Sequence, residues 1–341
     1  MTATDSVSGT RARVVVGTGG IGSGMAVALV GDRDLGREES RPVRRIDARD
    51  YCKLHIVFHY LQRLLGETTL VLPIGRVGED DTGVALLTEM EDVGLPTRYV
   101  RRTGSAATLY SIAFSYPNGD GGNLTTADSA SSLVDPADVR AAEPELRALG
   151  GPGIAVALPE VPVPARVELL RMATEAGYLR VASLVPDEID DPAMDALLEH
   201  VDLLVLNAAE AGALTGGDPA DDGAALLRRT LDAVQARTGH PLQLVVTAGA
   251  RGSWAWDGES TWHAPAILRP VESTAGAGDA HLAGIVTALA AGWGLGAANE
   301  FAGLVSSVKV GSVHTIHPEL GWALLEDAAR AAGRAVPPHG R

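Results

Sequence analysis

Short apolar segments that alternate with helical segments limit most strongly what this chain can fold into. Leu203–Leu206 and Leu244–Thr247 are continuous apolar runs of strand length, typical of strands that are buried on both faces of a parallel sheet. A helix is predicted from about Glu210, and a longer one over Ala277–Ala291. Strands alternating with helices predict an α/β fold with a central, mostly parallel sheet that is flanked by helices on both faces.

The N-terminal part of the chain predicts a smaller β structure beside this sheet. Met25–Val30 and Arg41–Ile46 flank a charged, turn-like segment, which indicates a hairpin. Thr108–Ser115 alternates like a half-exposed strand. The apolar residues of Asp50–Leu65 recur at helical spacing and are followed by Gly66, so a helix is predicted there.

Charge and cysteine content exclude several functional classes. The net charge of −15 and the pI of about 5.0 argue against general binding to nucleic acid or to an anionic membrane. A single cysteine, Cys52, allows no internal disulfide, and no apolar run is long enough to span a bilayer, so a cytoplasmic protein is expected. We expect one domain over residues 10–330, with flexible tails at 1–9 and 331–341.

The segment Ser273–Asp279 carries the clearest chemical signal. Its glycines, Gly276 and Gly278, let the main chain approach a ligand closely, and it opens the helix predicted over Ala277–Ala291. Unpaired N–H groups in the first turn of a helix, together with the helix dipole, favour an anion. A carboxylate at Asp279 can accept a proton from an attacking hydroxyl there, although taken alone it also fits simple complementation of the dipole.

Three further motifs precede this segment in an order that resembles the ribokinase-like (PfkB) carbohydrate kinase family. Ser273–Asp279 is similar to the family's D-T-x-G-A-G-D signature. The family's G-x-V-G-x-D-x-x-G, N-x-x-E and T-x-G-x-x-G motifs resemble, in that order, Gly75–Gly83, Asn207–Glu210 and Thr247–Gly252. Four motifs in register are more specific than any one of them.

The resemblance implies a ribokinase-like fold and an ATP- and Mg²⁺-dependent kinase that phosphorylates a hydroxyl of a sugar, a sugar derivative or a nucleoside. Asp279 is implied to be the catalytic base, and the main chain of Gly276, Ala277 and Gly278 an anion hole for the transferred phosphoryl group. The residues implied to bind the nucleotide are Asn207, Glu210, Thr247, Gly249, Gly252 and Thr274. Glu210 is further implied to hold Mg²⁺ through a water molecule.

Local structure offers a second explanation for some of these residues. Asn207 and Glu210 also fit a capping box that starts a helix. Gly249 and Gly252 also fit a hairpin turn.

The N-terminal third departs from the family pattern where family members bind the acceptor. The acidic residue that usually follows the first strand is replaced by Gly17–Gly22, which includes the candidate substrate contact Gly20. The resemblance implies a small β-sheet lid, which we expect over residues 22–48 and 104–128, and by analogy a homodimer formed through it. Tyr110, Asn123 and Ser129 are further candidates for the acceptor side of the site.

Two arginines on the expected lid suggest a substrate class. Arg37 and Arg41 would clamp a phosphate or carboxylate of an anionic small-molecule substrate. The alternative is a solvated loop in which these arginines pair with the neighbouring Glu38 and Glu39.

Two other functions remain compatible with the sequence. Gly17–Gly22 fits G-x-G-x-x-G after a strand, the dinucleotide-binding pattern of an NAD(P)-dependent oxidoreductase, but that pattern requires a helix directly after it. The other alternative is a non-catalytic relative that binds a sugar or a nucleotide, against which the intact Asp279 argues.

Overall fold

The computed structural model describes residues 10–118 and 121–339. Nine strands form the larger sheet: β1 (Val14–Thr18), β4 (Leu70–Gly78), β5 (Val100–Thr103), β8 (Gly153–Ala157), β9 (Leu179–Ala182), β10 (Leu203–Asn207), β11 (Gln243–Thr247), β12 (Ser253–Trp256) and β13 (Thr261–Ala264). Their order across the sheet is β13-β12-β11-β10-β9-β8-β1-β4-β5. All neighbours are parallel except the pairs β11/β12 and β12/β13, which confirms the predicted mostly parallel sheet.

Helices cover both faces of this sheet, because its parallel strands are apolar on both sides. Five helices pack on one face: α1 (Lys53–Leu65), α2 (Asp81–Asp92), α9 (Ala277–Ala290), α10 (Leu295–Lys309) and α11 (Trp322–Ala332). Six pack on the other: α3 (Pro136–Arg140), α4 (Glu143–Leu149), α5 (Val163–Ala176), α6 (Met194–Leu198), α7 (Ala208–Thr215) and α8 (Gly223–Arg237). None of the helices in the described part of the chain has the length and apolarity that a bilayer-spanning segment needs.

A second sheet of four strands forms the lid. Its strands are β2 (Gly22–Leu29), β3 (Val43–Tyr51), β6 (Leu109–Ser115) and β7 (Gly121–Thr125), in the order β3-β2-β6-β7. The predicted hairpin is the antiparallel pair β2/β3. Since β1 leads through Gly19–Ile21 into β2, and β3 leads into α1, the lid is joined to the large sheet at the carboxyl end of β1.

Several predicted boundaries differ from the structure: the strands predicted over Met25–Val30 and Arg41–Ile46 are Gly22–Leu29 and Val43–Tyr51. The helix predicted from Asp50 begins at Lys53, because Asp50 and Tyr51 still pair with β2 as the last residues of β3. At the other end, α11 continues to Ala332, and the ring of His339 stacks on Trp322 with 3.9 Å between centroids. The tail expected to be flexible from residue 331 therefore packs against the body as far as residue 339, while residues 1–9, 340 and 341 lie outside the described residues.

Candidate active site

Asp279 lies in the first turn of α9, at the edge where the parallel strands end. The helix is preceded by Gly276, whose φ of 77° lies in the left-handed region that glycine adopts readily. A Cβ at this position would lie 2.5 Å from the main-chain oxygen of Thr315, so glycine is also required by space. The turn at Gly276 therefore sets the direction of α9 and the position of Asp279 in its first turn.

The main chain before Asp279 leaves N–H groups free to bind an anion. The N–H of Ala277 donates to Thr274 O and that of Ala275 to Ser273 Oγ. No hydrogen bond among the described residues engages the N–H of Gly276 or Gly278. Of the three N–H groups predicted to form the anion hole, those of Gly276 and Gly278 are therefore open to a ligand, whereas that of Ala277 is already bonded.

Lys309, the last residue of α10, binds the start of the glycine segment Ser273–Asp279. Its side chain is fully buried, and Nζ donates to Ser273 O at 3.0 Å and to Ser312 O at 3.4 Å. Burial lowers the pKa of Lys309 to about 8, against the opposing effect of Asp279 and Asp50. A buried cation thus ties the start of the glycine segment to the end of α10.

A second lysine faces Asp279 directly. Lys53 is the first residue of α1, and its Nζ lies 3.6 Å from Asp279 Oδ1. Attraction by Asp279, and after it by Glu210 and Glu160, outweighs burial and raises the pKa of Lys53. The side chain keeps 25% of its surface exposed, so the ion pair borders open space.

A cleft of about 330 Å³ opens beside the glycine segment, a volume within the usual range of ligand pockets. It brings together five of the six residues predicted to bind the nucleotide, as well as two of the predicted anion hole: Asn207, Thr247, Gly249, Gly252, Thr274, Ala277 and Gly278. Asn207 and Thr247 are neighbours because they are register partners at the carboxyl ends of β10 and β11. The loop over Pro265–Val271 forms the opposite wall.

Asn207 and Glu210 form the capping box that their spacing in the sequence also predicted. Asn207 Oδ1 accepts from Glu210 N at 2.9 Å, and Glu210 Oε2 accepts from Asn207 N at 2.8 Å. Burial raises the pKa of Glu210, and Lys53 opposes this shift. The capping box fixes the orientation of the Glu210 carboxylate through Oε2. The other carboxylate oxygen remains able to bind Mg²⁺, directly or through water.

The lid contributes a carboxylate that sequence reasoning missed. Asp50 and Ser111 are both register partners of Gly24, on opposite sides of it, and all three share one face of the lid. Ser111 Oγ donates to Asp50 Oδ2 at 2.5 Å across the glycine, where a Cβ would lie 2.2 Å from Ser111 Oγ. Burial raises the pKa of Asp50, and Asp279 adds to the shift, so the two carboxylates interact electrostatically.

Glu160, which follows β8, is a second carboxylate, and it lies beside the first residue of α1. Its φ of 71° is the only positive value at a non-glycine residue in the described ranges. Its Oε2 accepts from Lys53 N at 3.0 Å and lies where a Cβ on Gly20 would be, only 2.3 Å away. Gly20, a predicted substrate contact, thus makes room for Glu160.

The two arginines predicted to clamp the substrate, Arg37 and Arg41, do not lie at the site around Asp279. Arg41 is bound inside its own loop, by Glu39 and by the main-chain oxygens of Arg33 and Asp34, and Arg37 is exposed in the same loop. The loop joins the far ends of β2 and β3, about 23 Å from Gly22 at the strand rise of about 3.3 Å per residue. The self-paired loop considered as the alternative describes Arg41 correctly.

Of the other acceptor candidates, Tyr110 and Asn123 lie on opposite faces of the lid, and Ser129 lies outside the lid sheet. Tyr110 lies on the face opposite to Ser111, because successive residues of a strand alternate, and it is exposed. Asn123 pairs with Ala113 and so shares the face of Ser111, on the edge strand β7. Ser129 is buried, and its Oγ has no hydrogen-bond partner among the described residues.

Gly17–Gly22 does not form a dinucleotide-binding turn. It leads into strand β2 and not into a helix, so no helix N-terminus is available there for a pyrophosphate. Its glycines serve close packing instead, since a Cβ on Gly17 would lie 2.4 Å from the ring of Phe58. The oxidoreductase interpretation is therefore wrong.

Comparison with known proteins agrees with this geometry. Residues 57–320 match the pfkB family carbohydrate kinase. Among solved structures, a ribokinase from Giardia lamblia is 16% identical with a TM-score of 0.79 (93% of this chain and 99% of that chain covered). A nucleoside kinase from Burkholderia thailandensis in complex with inosine is 17% identical with a TM-score of 0.72 (96% and 100% covered). A ribokinase from Arabidopsis thaliana complexed with ribose and ATP is 18% identical with a TM-score of 0.71 (94% and 98% covered).

These structures share the fold of this chain, a large sheet flanked by helices with a small second sheet. The family match extends over most of the chain and includes α1 from Val57 onwards, the capped helix α7 and the glycine segment before Asp279. The chain is a kinase, and it belongs to the pfkB family of carbohydrate kinases.

Proposed function

We propose that this kinase transfers the γ-phosphoryl group of ATP to a hydroxyl of a small, uncharged, polyhydroxylated acceptor of the sugar or nucleoside class. One observation carries the proposal: the carboxylate of Asp279 adjoins free N–H groups at the start of α9. The cleft borders these N–H groups, and Asp50 and Glu160 interact electrostatically with Asp279. The ATP and ribose bound by the Arabidopsis ribokinase and the inosine bound by the Burkholderia nucleoside kinase support both substrate classes.

The reaction needs few groups, because phosphoryl transfer depends on positioning and on stabilisation of charge. Asp279 accepts the proton of the acceptor hydroxyl. The acceptor oxygen bonds to the γ-phosphorus while the bond from phosphorus to the β,γ-bridging oxygen breaks, and ADP leaves. The N–H groups of Gly276 and Gly278 donate to the oxygens of the group in transfer, each contributing roughly 10²–10³ in rate.

Glu210 is the residue that fits Mg²⁺. The described residues contain no cluster of three or more metal-ligating side chains, and Mg²⁺ at nucleotide sites uses one or two carboxylates together with the phosphates and water. Glu210, held at the start of α7, can supply such a carboxylate. When bound, Mg²⁺ supplies charge neutralisation to the phosphates.

The acceptor side favours an uncharged acceptor. Asp50 and Glu160 accept hydrogen bonds from hydroxyl groups, whereas they repel a phosphate or a carboxylate. This replaces the anionic substrate suggested by Arg37 and Arg41, because neither arginine lies near Asp279 in this chain.

The lid also offers a surface for a second copy of the chain. Tyr110 and Leu124 lie together on its outer face, 36% and 58% exposed. A homodimer through this face would bury them, and light scattering of the Leu124→Glu variant against the wild type tests it. A wild-type protein that is monomeric at micromolar concentration contradicts the dimer.

The test of the function is a screen of uncharged sugars, polyols and nucleosides for acceptor-dependent release of ADP from Mg·ATP. For the acceptor found, Asp279→Asn should lower kcat by about 10²–10⁴ while ADP still binds. If Asp279→Asn turns over as fast as the wild type, or if no hydroxylated acceptor supports ADP release, the proposed function is wrong.

A further inference from the structure

The distribution of basic residues sets Lys53 apart. The sequence contains 26 arginines and only two lysines, Lys53 and Lys309. Both interact electrostatically with Asp279. Arginine or histidine forms the other ion pairs among the described residues, so lysine occurs only at two positions that interact with the proposed base, and only Lys53 forms an ion pair with it.

The position of Lys53 is not one that an ion pair for stability would favour. It is the first residue of α1, at the positive end of the helix dipole, where a cation is disfavoured. Its main chain is held by Glu160, which itself adopts the unfavourable positive φ. The structure thus maintains two unfavourable features to keep this ammonium group in place.

The ammonium group of Lys53 pairs with Asp279 and also interacts electrostatically with carboxylates on both sides of the proposed site. Asp279 is its nearest carboxylate, at 3.6 Å, and Glu210 of the nucleotide side and Glu160 of the acceptor side also attract it. Lysine binds phosphate as a point charge and does not need a fixed planar geometry. A single bond rotation at the end of its flexible stem can therefore move the charge from Asp279 towards an incoming phosphate.

We propose that Lys53 is a catalytic residue whose ammonium group pairs with Asp279 in the resting enzyme and contacts the transferring phosphoryl group during reaction. This rests on the proposed kinase function. As the acceptor oxygen bonds to phosphorus and the bond to the bridging oxygen of ADP breaks, the hydroxyl proton passes to Asp279. Lys53 keeps its protons throughout and donates one hydrogen bond to an oxygen of the group in transfer.

Kinetics of Lys53→Met and Lys53→Arg test the proposal. Lys53→Met should lower kcat by about 10²–10³, as for the loss of a donor to transition-state charge, and change KM for acceptor and ATP by less than about threefold. Lys53→Arg should recover at least about tenfold of this loss, because it keeps the charge. Arg63→Met removes a cation from the other end of α1 and serves as the control. A kcat for Lys53→Met within threefold of the wild type overturns the proposal.

A labelling experiment on the wild-type protein needs neither turnover nor a folded variant. Acylation with acetic anhydride, followed by mass spectrometry, compares Lys53 with the buried Lys309 as an internal reference. We expect the complex of ADP, Mg²⁺ and tetrafluoroaluminate to slow modification of Lys53 at least about tenfold, and that of Lys309 much less. Equal modification of Lys53 with and without the complex rejects the phosphoryl contact.

The two failures are distinguishable. If no acceptor is found but the complex protects Lys53, the acceptor class proposed above fails while the contact of Lys53 with a transferring phosphoryl group is supported. If the wild type phosphorylates an acceptor but Lys53→Met is as fast, the function stands and the role of Lys53 is rejected.

Discussion

Ser111 Oγ donates a hydrogen bond to Asp50 Oδ2 across Gly24 of the strand between them, and so links β6 to β3 across β2. The hydroxyl holds one carboxylate oxygen and orients the other oxygen of Asp50. Because Asp50 is buried and interacts electrostatically with Asp279, the proposed function assigns this pair to the binding of the acceptor.

Asp50→Asn should weaken binding of the acceptor and leave ATP binding unchanged. A hydrogen bond to a charged group contributes about 1.5–3 kcal/mol, so KM for the acceptor is expected to rise about 10–100-fold in steady-state kinetics, with KM for ATP changed less than about twofold. Asp47→Asn, an exposed position on the same strand, is the matched control. Equal KM values for Asp50→Asn and Asp47→Asn contradict the assignment of Asp50.

Gly24→Ala should break the Ser111–Asp50 hydrogen bond by space alone. The new Cβ would lie 2.2 Å from Ser111 Oγ and 2.6 Å from Asp50 Oδ2, so both side chains must move. We expect a loss of acceptor affinity at least as large as that of Ser111→Ala. Gly36→Ala, whose nearest atoms would be 3.5 Å away, should behave as the wild type; an unchanged KM for Gly24→Ala would refute the argument.

Gly276→Ala should destabilise the fold and reduce turnover together. A non-glycine residue in the left-handed region costs roughly 1–3 kcal/mol, and here the Cβ would also lie 2.5 Å from Thr315 O. Gly333→Ala isolates the conformational cost, because Gly333 has a φ of 64° and open space around it. In urea unfolding, Gly276→Ala should lose at least about 1 kcal/mol more than Gly333→Ala, and equal losses would show that Thr315 gives way.

Glu160 should make stability depend on pH near neutrality. Burial foremost raises its pKa to about 7, opposed by Lys53 and assisted by Asp279 and Asp50. A carboxyl group with a raised pKa in the folded state stabilises it below the unfolded pKa, and this contribution is lost as the pH rises through 7. Between pH 5 and 8 the wild type should lose about 1–3 kcal/mol more than Glu160→Gln in urea unfolding. Parallel pH profiles of the two proteins would contradict this.

The motifs that lie in continuous segments could be predicted from the sequence. Ser273–Asp279, Thr247–Gly252 and Asn207–Glu210 each combine their functional residues within one turn, and the sheet brings them together since parallel strands end at one edge. Local spacing was therefore sufficient to predict residues that line one cleft.

The acceptor side could not be predicted in the same way. Asp50, Lys53, Ser111 and Glu160 come from different elements, and only the pairing of the lid and the entry into α1 make them neighbours. The helical pattern of Asp50–Leu65 concealed that its first residues belong to a strand, because register partners are a tertiary property. The scarcity of lysine was the one signal in the sequence that pointed to Lys53.

Because lysine is so scarce, cleavage after lysine can also measure how often the fold opens. A protease that cuts only after lysine has two targets in the whole sequence, Lys53 at the start of α1 and Lys309 at the end of α10. Because cleavage requires an extended and accessible main chain, digestion must wait for the fold to open. The rate at which such a protease cuts the chain, and its slowing by nucleotide, would therefore measure how ligands close this enzyme.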